Sequence, residues 1–173
     1  FDDFPFDRVA AGDIVLLGYF LLLAKVDAGD GLKILQELKR RGAKTAIDLV
    51  TENSDRYGLV RNCLPYVDYL IVNEVEAARI AGTFGASVEL ARRLMEMGVG
   101  ELVVIPEPGK GTCLRRGGAC VELPSYRLPE GFVRDKTGAG DAYCAGALAG
   151  IFRGAGDEEI LRRGRLAAVG ALS

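Results

Sequence analysis

Four short, largely apolar runs govern what this chain can fold into, at residues 13–18, 45–49, 67–72 and 102–105. Each is too short for a buried helix and lacks the alternation of a strand with one wet face. That is the pattern of strands buried on both faces of a parallel sheet. Stretches with helical spacing lie between them. Leu32, Leu35 and Leu38 mark a helix over 30–41, with Lys39, Arg40 and Arg41 in its last turn and Gly42 as its stop. Residues 55–64 read as a helix closed by Pro65, and 74–81 as a short helix ended by Gly82. Ser87 reads as the cap of a longer helix reaching Met97 and Gly98. Residues 112–114 and 119–123 flank Arg115 to Gly118 as a hairpin, and 138–152 and the stretch from Asp157 onward read as two helices. The order βαβαβαβαβ, followed by the hairpin and the paired helices, implies an α/β fold whose largely parallel sheet is covered on both faces by right-handed crossovers.

The 173 residues fit one domain of ordinary size, at about 100 to 200 residues per domain. With 22 basic and 24 acidic side chains the net charge is −2, which gives no electrostatic case for nucleic acid or a membrane surface. The chain has no histidine, so a Ser-His-Asp triad, a Cys-His pair and an HExxH zinc site are excluded. Cys63, Cys113, Cys120 and Cys144 are too widely spaced for a CxxC pair and read as reduced thiols of a cytoplasmic protein. Cys113 and Cys120 are the one pair with a route to a disulfide, across the hairpin. No run approaches the roughly 20 apolar residues that span a bilayer. The first residue is Phe1 rather than methionine, so the expectation is a processed or partial sequence.

In a sheet of this kind ligands bind beyond the carboxyl ends of the strands. Asp48 and Asn73 lie at strand ends, and Asp135-Lys136-Thr137-Gly138-Ala139-Gly140-Asp141 lies where a loop enters a helix. Gly138, Ala139 and Gly140 leave their amide N–H groups open to an anion at the positive end of that helix. A carboxylate beside such a nest, Asp141, suits proton abstraction from a hydroxyl that attacks phosphorus, and equally suits plain complementation of the helix dipole. Asn73 and Glu76 have local readings too, a side-chain turn and a first-turn acid. Asp48 receives no role. Arg115 and Arg116 read as a solvated hairpin tip, and Lys39 to Arg41 as an ordinary helix end.

The stretch 135–146, DKTGAGDAYCAG, closely resembles the C-terminal signature of the ribokinase-like (PfkB) sugar and nucleoside kinases, usually written DTTGAGDxFxAG. Upstream, Asn73-Glu74-Val75-Glu76 resembles that family's NxxE motif, also placed after a buried strand. Two ordered motifs are more specific than either alone, and the resemblance runs over essentially the whole chain. It implies a Rossmann-like, ribokinase-like fold and ATP-dependent phosphorylation of a hydroxyl on a sugar or sugar-like substrate. Asp141 would then be the general base, with the backbone of Gly138, Ala139 and Gly140 stabilising charge on the transferred phosphoryl group. Asn73 and Glu76 would hold magnesium against ATP, largely through water. Gly109 and Gly111 would touch nucleotide, and Asp135 would lie near the acceptor or a monovalent cation. Alternative readings are a nucleoside kinase, or a nucleotide- or carbohydrate-binding module without catalysis.

Three residues depart from the family pattern: Lys136 stands where threonine is common, and Pro106 and Pro108 replace the usual threonine and first glycine of a strand end that commonly meets nucleotide. Family members are longer, so residues 1–173 are expected to be one partial kinase domain without the lid and N-terminal sugar-binding part, incomplete also at its C-terminus. A small-molecule sugar is the expected partner, with a homo-oligomer left open. Cutting a parallel sheet exposes an edge and an apolar face, which predicts association of an isolated piece.

Overall fold

The structure, a computed structural model, describes residues 1–51 and 56–173. Six strands form one sheet in sequential order: β1 (Ile14–Phe20), β2 (Lys44–Leu49), β3 (Tyr69–Ile71), β4 (Leu102–Pro106), β5 (Lys110–Arg115) and β6 (Cys120–Pro124). The first four run parallel; β5 and β6 are antiparallel additions. Six helices accompany them: α1 (Gly31–Arg40), α2 (Tyr57–Cys63), α3 (Glu74–Ala81), α4 (Ser87–Glu96), α5 (Ala139–Phe152) and α6 (Asp157–Leu172). Between β3 and β4 the chain forms two helices in succession, so the order before the hairpin is βαβαβααβ rather than a strict alternation. The expected helix over 55–64 is seen from Tyr57, and its first position, Asp55, lies outside the described residues.

Both faces of the sheet are covered, but not both by crossovers. Connections of one hand between strands in sequential order stack on one face. Accordingly Ile47, Leu70, Val103 and Leu114 share one core with Leu35 of α1, Val60 of α2, Ile80 of α3 and Leu94 of α4. Their strand neighbours Ala46, Tyr69, Ile71, Leu102, Val104 and Cys113 face a second core closed by Tyr143, Cys144 and Ala147 of α5 and Ile160 and Leu161 of α6. The pair α5 and α6 packs closely because Gly146 carries no side chain; a Cβ there would meet the Arg163 carbonyl O at 2.5 Å.

Several sequence expectations change with the neighbours each residue acquires. β1 is not buried on both faces: it pairs only with β2 among the described residues, and Leu16 and Tyr19 are exposed. Ser87 is the first residue of α4 rather than its cap; Ala86 holds the cap position with no side-chain bond. Cys113 pairs with Val121 and Cys120 with Leu114, so the two thiols sit on opposite faces of the hairpin, and all four cysteines are free. Arg115 binds Asp157 at 2.6 Å and Arg116 donates to the carbonyl oxygens of Met95, Val99 and Gly100, so neither is merely solvated. Lys39 reaches the buried Asp68 at 2.6 Å, and Asp68 also accepts from the Thr45 N–H, tying α1, β2 and β3 together. No helix among the described residues is long and apolar enough to cross a membrane.

Candidate active site

The carboxyl ends of the parallel strands bring Tyr19, Asp48, Asn73 and Pro106 to one edge of the sheet, and α5 starts beside them. Asn73 leaves β3 in extended conformation and caps α3: its Oδ1 accepts from the N–H groups of Val75 (3.0 Å) and Glu76 (2.9 Å). Glu76 returns a bond through Oε2 from the Asn73 N–H, at 3.0 Å, completing a capping box. The hydroxyl of Thr51 closes the group, donating to Glu76 Oε1 at 2.6 Å and accepting from Asn73 Nδ2 at 2.8 Å. Glu76 is only 3% exposed, and burial raises its carboxyl above the ordinary value against these hydrogen bonds. The spacing Asn73-x-x-Glu76 therefore has a local structural job as well as any ligand role.

A cavity of about 460 Å³ opens between the N-terminus of α3, the turn joining β4 to β5, the segment after β6 and the facing sides of α5 and α6. Asn73, Ala139 and Gly140 border it, and Pro106, Pro108, Tyr126, Leu128, Ala168, Val169 and Leu172 make most of its wall apolar. Gly138, at φ +78°, occupies the left-handed region that favours glycine and turns the chain into α5. No side chain caps α5. The Ala139 N–H donates to the Lys136 carbonyl O at 3.3 Å, so of the expected amides it is partly engaged by the turn. Among the described residues the Gly140 and Asp141 N–H groups form no hydrogen bond, as the first turn of a helix requires a partner to supply.

Asp141 is exposed and turns away from the cavity toward β1, where the Tyr19 hydroxyl donates to its Oδ2 at 2.9 Å; this bond raises the Tyr19 phenol above its ordinary pKa. Asp141 and Glu76 both act on Asp48, at the end of β2. Burial first, then these two charges, push the Asp48 carboxyl up to about 7. The α5 N-terminus thus separates two spaces, a largely apolar cavity on one side and an acidic group on the other.

The remaining expectations distribute unevenly. Gly109 and Gly111 do not border the cavity; Gly111 is buried, with Tyr143 and Leu161 where its Cβ would lie, while Lys110 between them does border it. Pro106 and Pro108, the departures from the family pattern, form part of its wall. Asp135 lies outside it and accepts from the N–H and hydroxyl of Thr137, at 3.0 and 2.9 Å, which hold its carboxyl below the ordinary range and shape the loop before Gly138. Lys136 is exposed and also outside the cavity. Sequence reasoning missed Arg165 and Tyr143. Both are buried against the cavity, and the Nε and Nη2 of Arg165 and the Tyr143 hydroxyl find no hydrogen-bond partner among the described residues. Arg165 Nη1 donates to the Pro124 carbonyl O, and burial lowers the guanidinium pKa. An arginine in the run Arg162-Arg163-Gly164-Arg165 is indistinguishable in sequence from its solvated neighbours.

The chain is similar to known proteins in sequence and in fold. The chain is 32% identical over 146 residues to a cytidine kinase of Thermococcus kodakarensis, covering 82% of this chain and 51% of that protein. It is 32% identical over 111 residues to adenosine kinase 1 of Arabidopsis thaliana, covering 59% and 32%. The fold superposes on the Arabidopsis thaliana ribokinase complexed with ribose and ATP with a TM-score of 0.73 at 22% identity, over 92% of this chain and 49% of that one. The chain spans about half the length of the cytidine kinase it matches. The pfkB family carbohydrate kinases match it over residues 1–173, and the chain belongs to that family.

Proposed function

We propose that residues 1–173 form the nucleotide-binding and proton-accepting part of an ATP-dependent kinase that phosphorylates a hydroxyl of a sugar or nucleoside. One observation carries the reading: the unpartnered amide of Gly140 borders a cavity that also holds buried donors without acceptors, and Asp141, the next residue, presents its carboxylate on the other side of the α5 N-terminus, toward Tyr19. Those donors fit a nucleotide. Its base suits the apolar wall, and its acceptor atoms suit Arg165 Nε and Nη2 and the Tyr143 hydroxyl. The uncapped start of α5 suits its phosphates, through the Gly140 N–H and the helix dipole.

Asn73 and Glu76 fit magnesium only through its waters. Both carboxylate oxygens of Glu76 and the Asn73 Oδ1 are engaged within the capping box, and no cluster of three or more metal-ligating carboxylates or thiols forms among the described residues. Magnesium keeps several of its own waters, so an outer-sphere place for this pair suits it. Bound magnesium ATP supplies the phosphoryl group and neutralises its charge. The chain's own residues do the rest: the nest at Gly138 to Gly140 orients the anion, and Asp141 takes the proton of the acceptor hydroxyl at a carboxylate oxygen. Phosphoryl transfer asks for this positioning and charge more than for covalent help, and it needs no histidine. The four unpaired thiols fit a cytoplasmic setting.

Asp141→Asn in the full-length protein keeps the shape and removes the base. Turnover with ATP should fall about 10²- to 10⁴-fold on the best acceptor among cytidine, adenosine, ribose and 2-dehydro-3-deoxygluconate. Full retention of turnover removes Asp141 from the role. Calorimetry showing nucleotide binding without turnover on any of the four would favour the binding-module reading.

A further inference from the structure

The bond between Tyr19 and Asp141 is made by an unusual piece of backbone. Pairing of β1 with β2 runs evenly through Leu17 opposite Ile47 and then slips, with Phe20 opposite Leu49, so that β1 carries one extra residue across Gly18 and Tyr19. A bulge of this kind re-aims a side chain. Tyr19 itself sits at φ +56°, in the left-handed region that an aromatic residue rarely occupies. Leu21 follows at φ +78°, and there the surroundings hold the conformation: its side chain is fully buried, its N–H donates to Asp27 at 2.9 Å and its carbonyl O accepts from Arg56 at 2.7 Å. Tyr19 has no such burial. It stays 48% exposed, and its hydroxyl bonds Asp141, 122 residues away in sequence. Strain at an exposed residue persists where the contact it makes is the gain.

We propose that Tyr19 is a gate on Asp141: its phenol oxygen takes the place on the carboxylate that an acceptor hydroxyl must take, and leaves only when the acceptor displaces it. This rests on the reading of Asp141 as the base. The exchange is balanced, because one O–H donor to Oδ2 replaces another. After it, the acceptor oxygen forms a bond to phosphorus as its proton passes to Asp141, and the bond from phosphorus to the nucleoside diphosphate oxygen breaks. With the phenol in place, water is kept from that same position, where it would otherwise make the identical bond changes and hydrolyse the nucleotide. Both partners are exposed, so the exchange needs no buried group to be stripped of its contacts.

The test uses the full-length protein carrying Tyr19→Phe, which keeps the ring and deletes the oxygen. Hydrolysis of ATP with magnesium and no acceptor should rise about tenfold, and the KM for the best acceptor of the panel should fall by a similar factor, the ratio that goes with one hydrogen bond of ordinary size. A tyrosine that only orients Asp141 would give a lower kcat, an unchanged KM and no rise in idle hydrolysis, and that result overturns the gate. A second readout needs no nucleotide. In protein labelled at the tyrosine ¹³Cζ, acceptor alone should move the Tyr19 resonance toward its position in Asp141→Asn. A resonance that stays in place, with acceptor saturation established by calorimetry, also overturns it. The two readings fail separately: an active Asp141→Asn removes the base, whereas an inactive one beside a Tyr19→Phe unchanged in hydrolysis, KM and resonance removes only the gate.

Discussion

At the scale of single residues, Asp48 shows how position changes chemistry. Its carboxyl is pushed up to about 7 by burial and by the charges of Glu76 and Asp141, against an ordinary value of 3.8. The folded state therefore holds this proton more tightly than the unfolded chain between pH 4 and 7. The stability that Asp48 contributes is present in full below about pH 4 and is lost as pH rises through 7. Asp48→Asn should remove that slope and stabilise the protein at pH 8 by on the order of 2 kcal/mol, about half of what 1.36 kcal/mol per pKa unit would allow. Urea unfolding at pH 5 and pH 8 checks it; an identical pH dependence in the variant refutes it. The sequence marks this residue only by its place at a strand end, because its burial and its perturbers, Glu76 of α3 and Asp141 of α5, arrive with the tertiary fold. Asn73 and Glu76 stood out for the opposite reason: their NxxE spacing is local, although the sequence read them as a side-chain turn and a first-turn acid and the structure joins them in a capping box. The same holds for Gly138, whose turn into α5 is local.

At the scale of elements, the packing of α6 against α5 sets the cavity wall, since Arg165, Ala168 and Val169 reach the cavity from α6. Gly146→Ala would put a methyl group 2.5 Å from the Arg163 carbonyl O and 2.9 Å from Ala167 Cβ, so the two helices must part. The expected loss is about 2 kcal/mol of stability, within the range for overpacking, together with weaker nucleotide binding by calorimetry. Normal affinity in a folded variant would show that the wall does not depend on this contact. A second elemental link is Asp68, 2% exposed, whose carboxylate serves Lys39 and Thr45 at once. Asp68→Ala leaves Lys39 and the Thr45 N–H without their acceptor, and a loss of about 3 kcal/mol in urea unfolding is expected. The boundaries of α3 follow its cap and stop, Asn73 and Gly82, and α1 ends just before the expected stop, Gly42. The edge character of β1 is not local in this way, because it depends on which strands lie beside it, and apolar content alone reads as burial on both faces.

At the scale of the whole molecule, β1 leaves one side unpaired among the described residues, with Leu16, Tyr19, Leu22 and Leu23 between 41 and 53% exposed nearby. An unpaired edge next to apolar side chains is a template for association. The isolated polypeptide 1–173 should therefore sediment as oligomers at micromolar concentration, and a monodisperse monomer in the ultracentrifuge would contradict this. The overall class of fold was legible from the four apolar runs, since each is long enough to be a strand and no more. The covering of the second face was not, because it follows from strand order, and strand order is fixed by packing between distant segments.

The free thiols give the folded molecule a built-in clock. Burial pushes Cys63 up to about 11 and Cys113 and Cys144 up to about 12, and Cys120 is raised too, so the native protein offers alkylating reagents almost no thiolate. Each thiol belongs to a different stretch: Cys63 to the end of α2, Cys113 and Cys120 to the two arms of the hairpin, Cys144 to α5. Iodoacetamide added during mild denaturation, with the modified peptides counted by mass, would therefore record the sequence in which the two cores come apart.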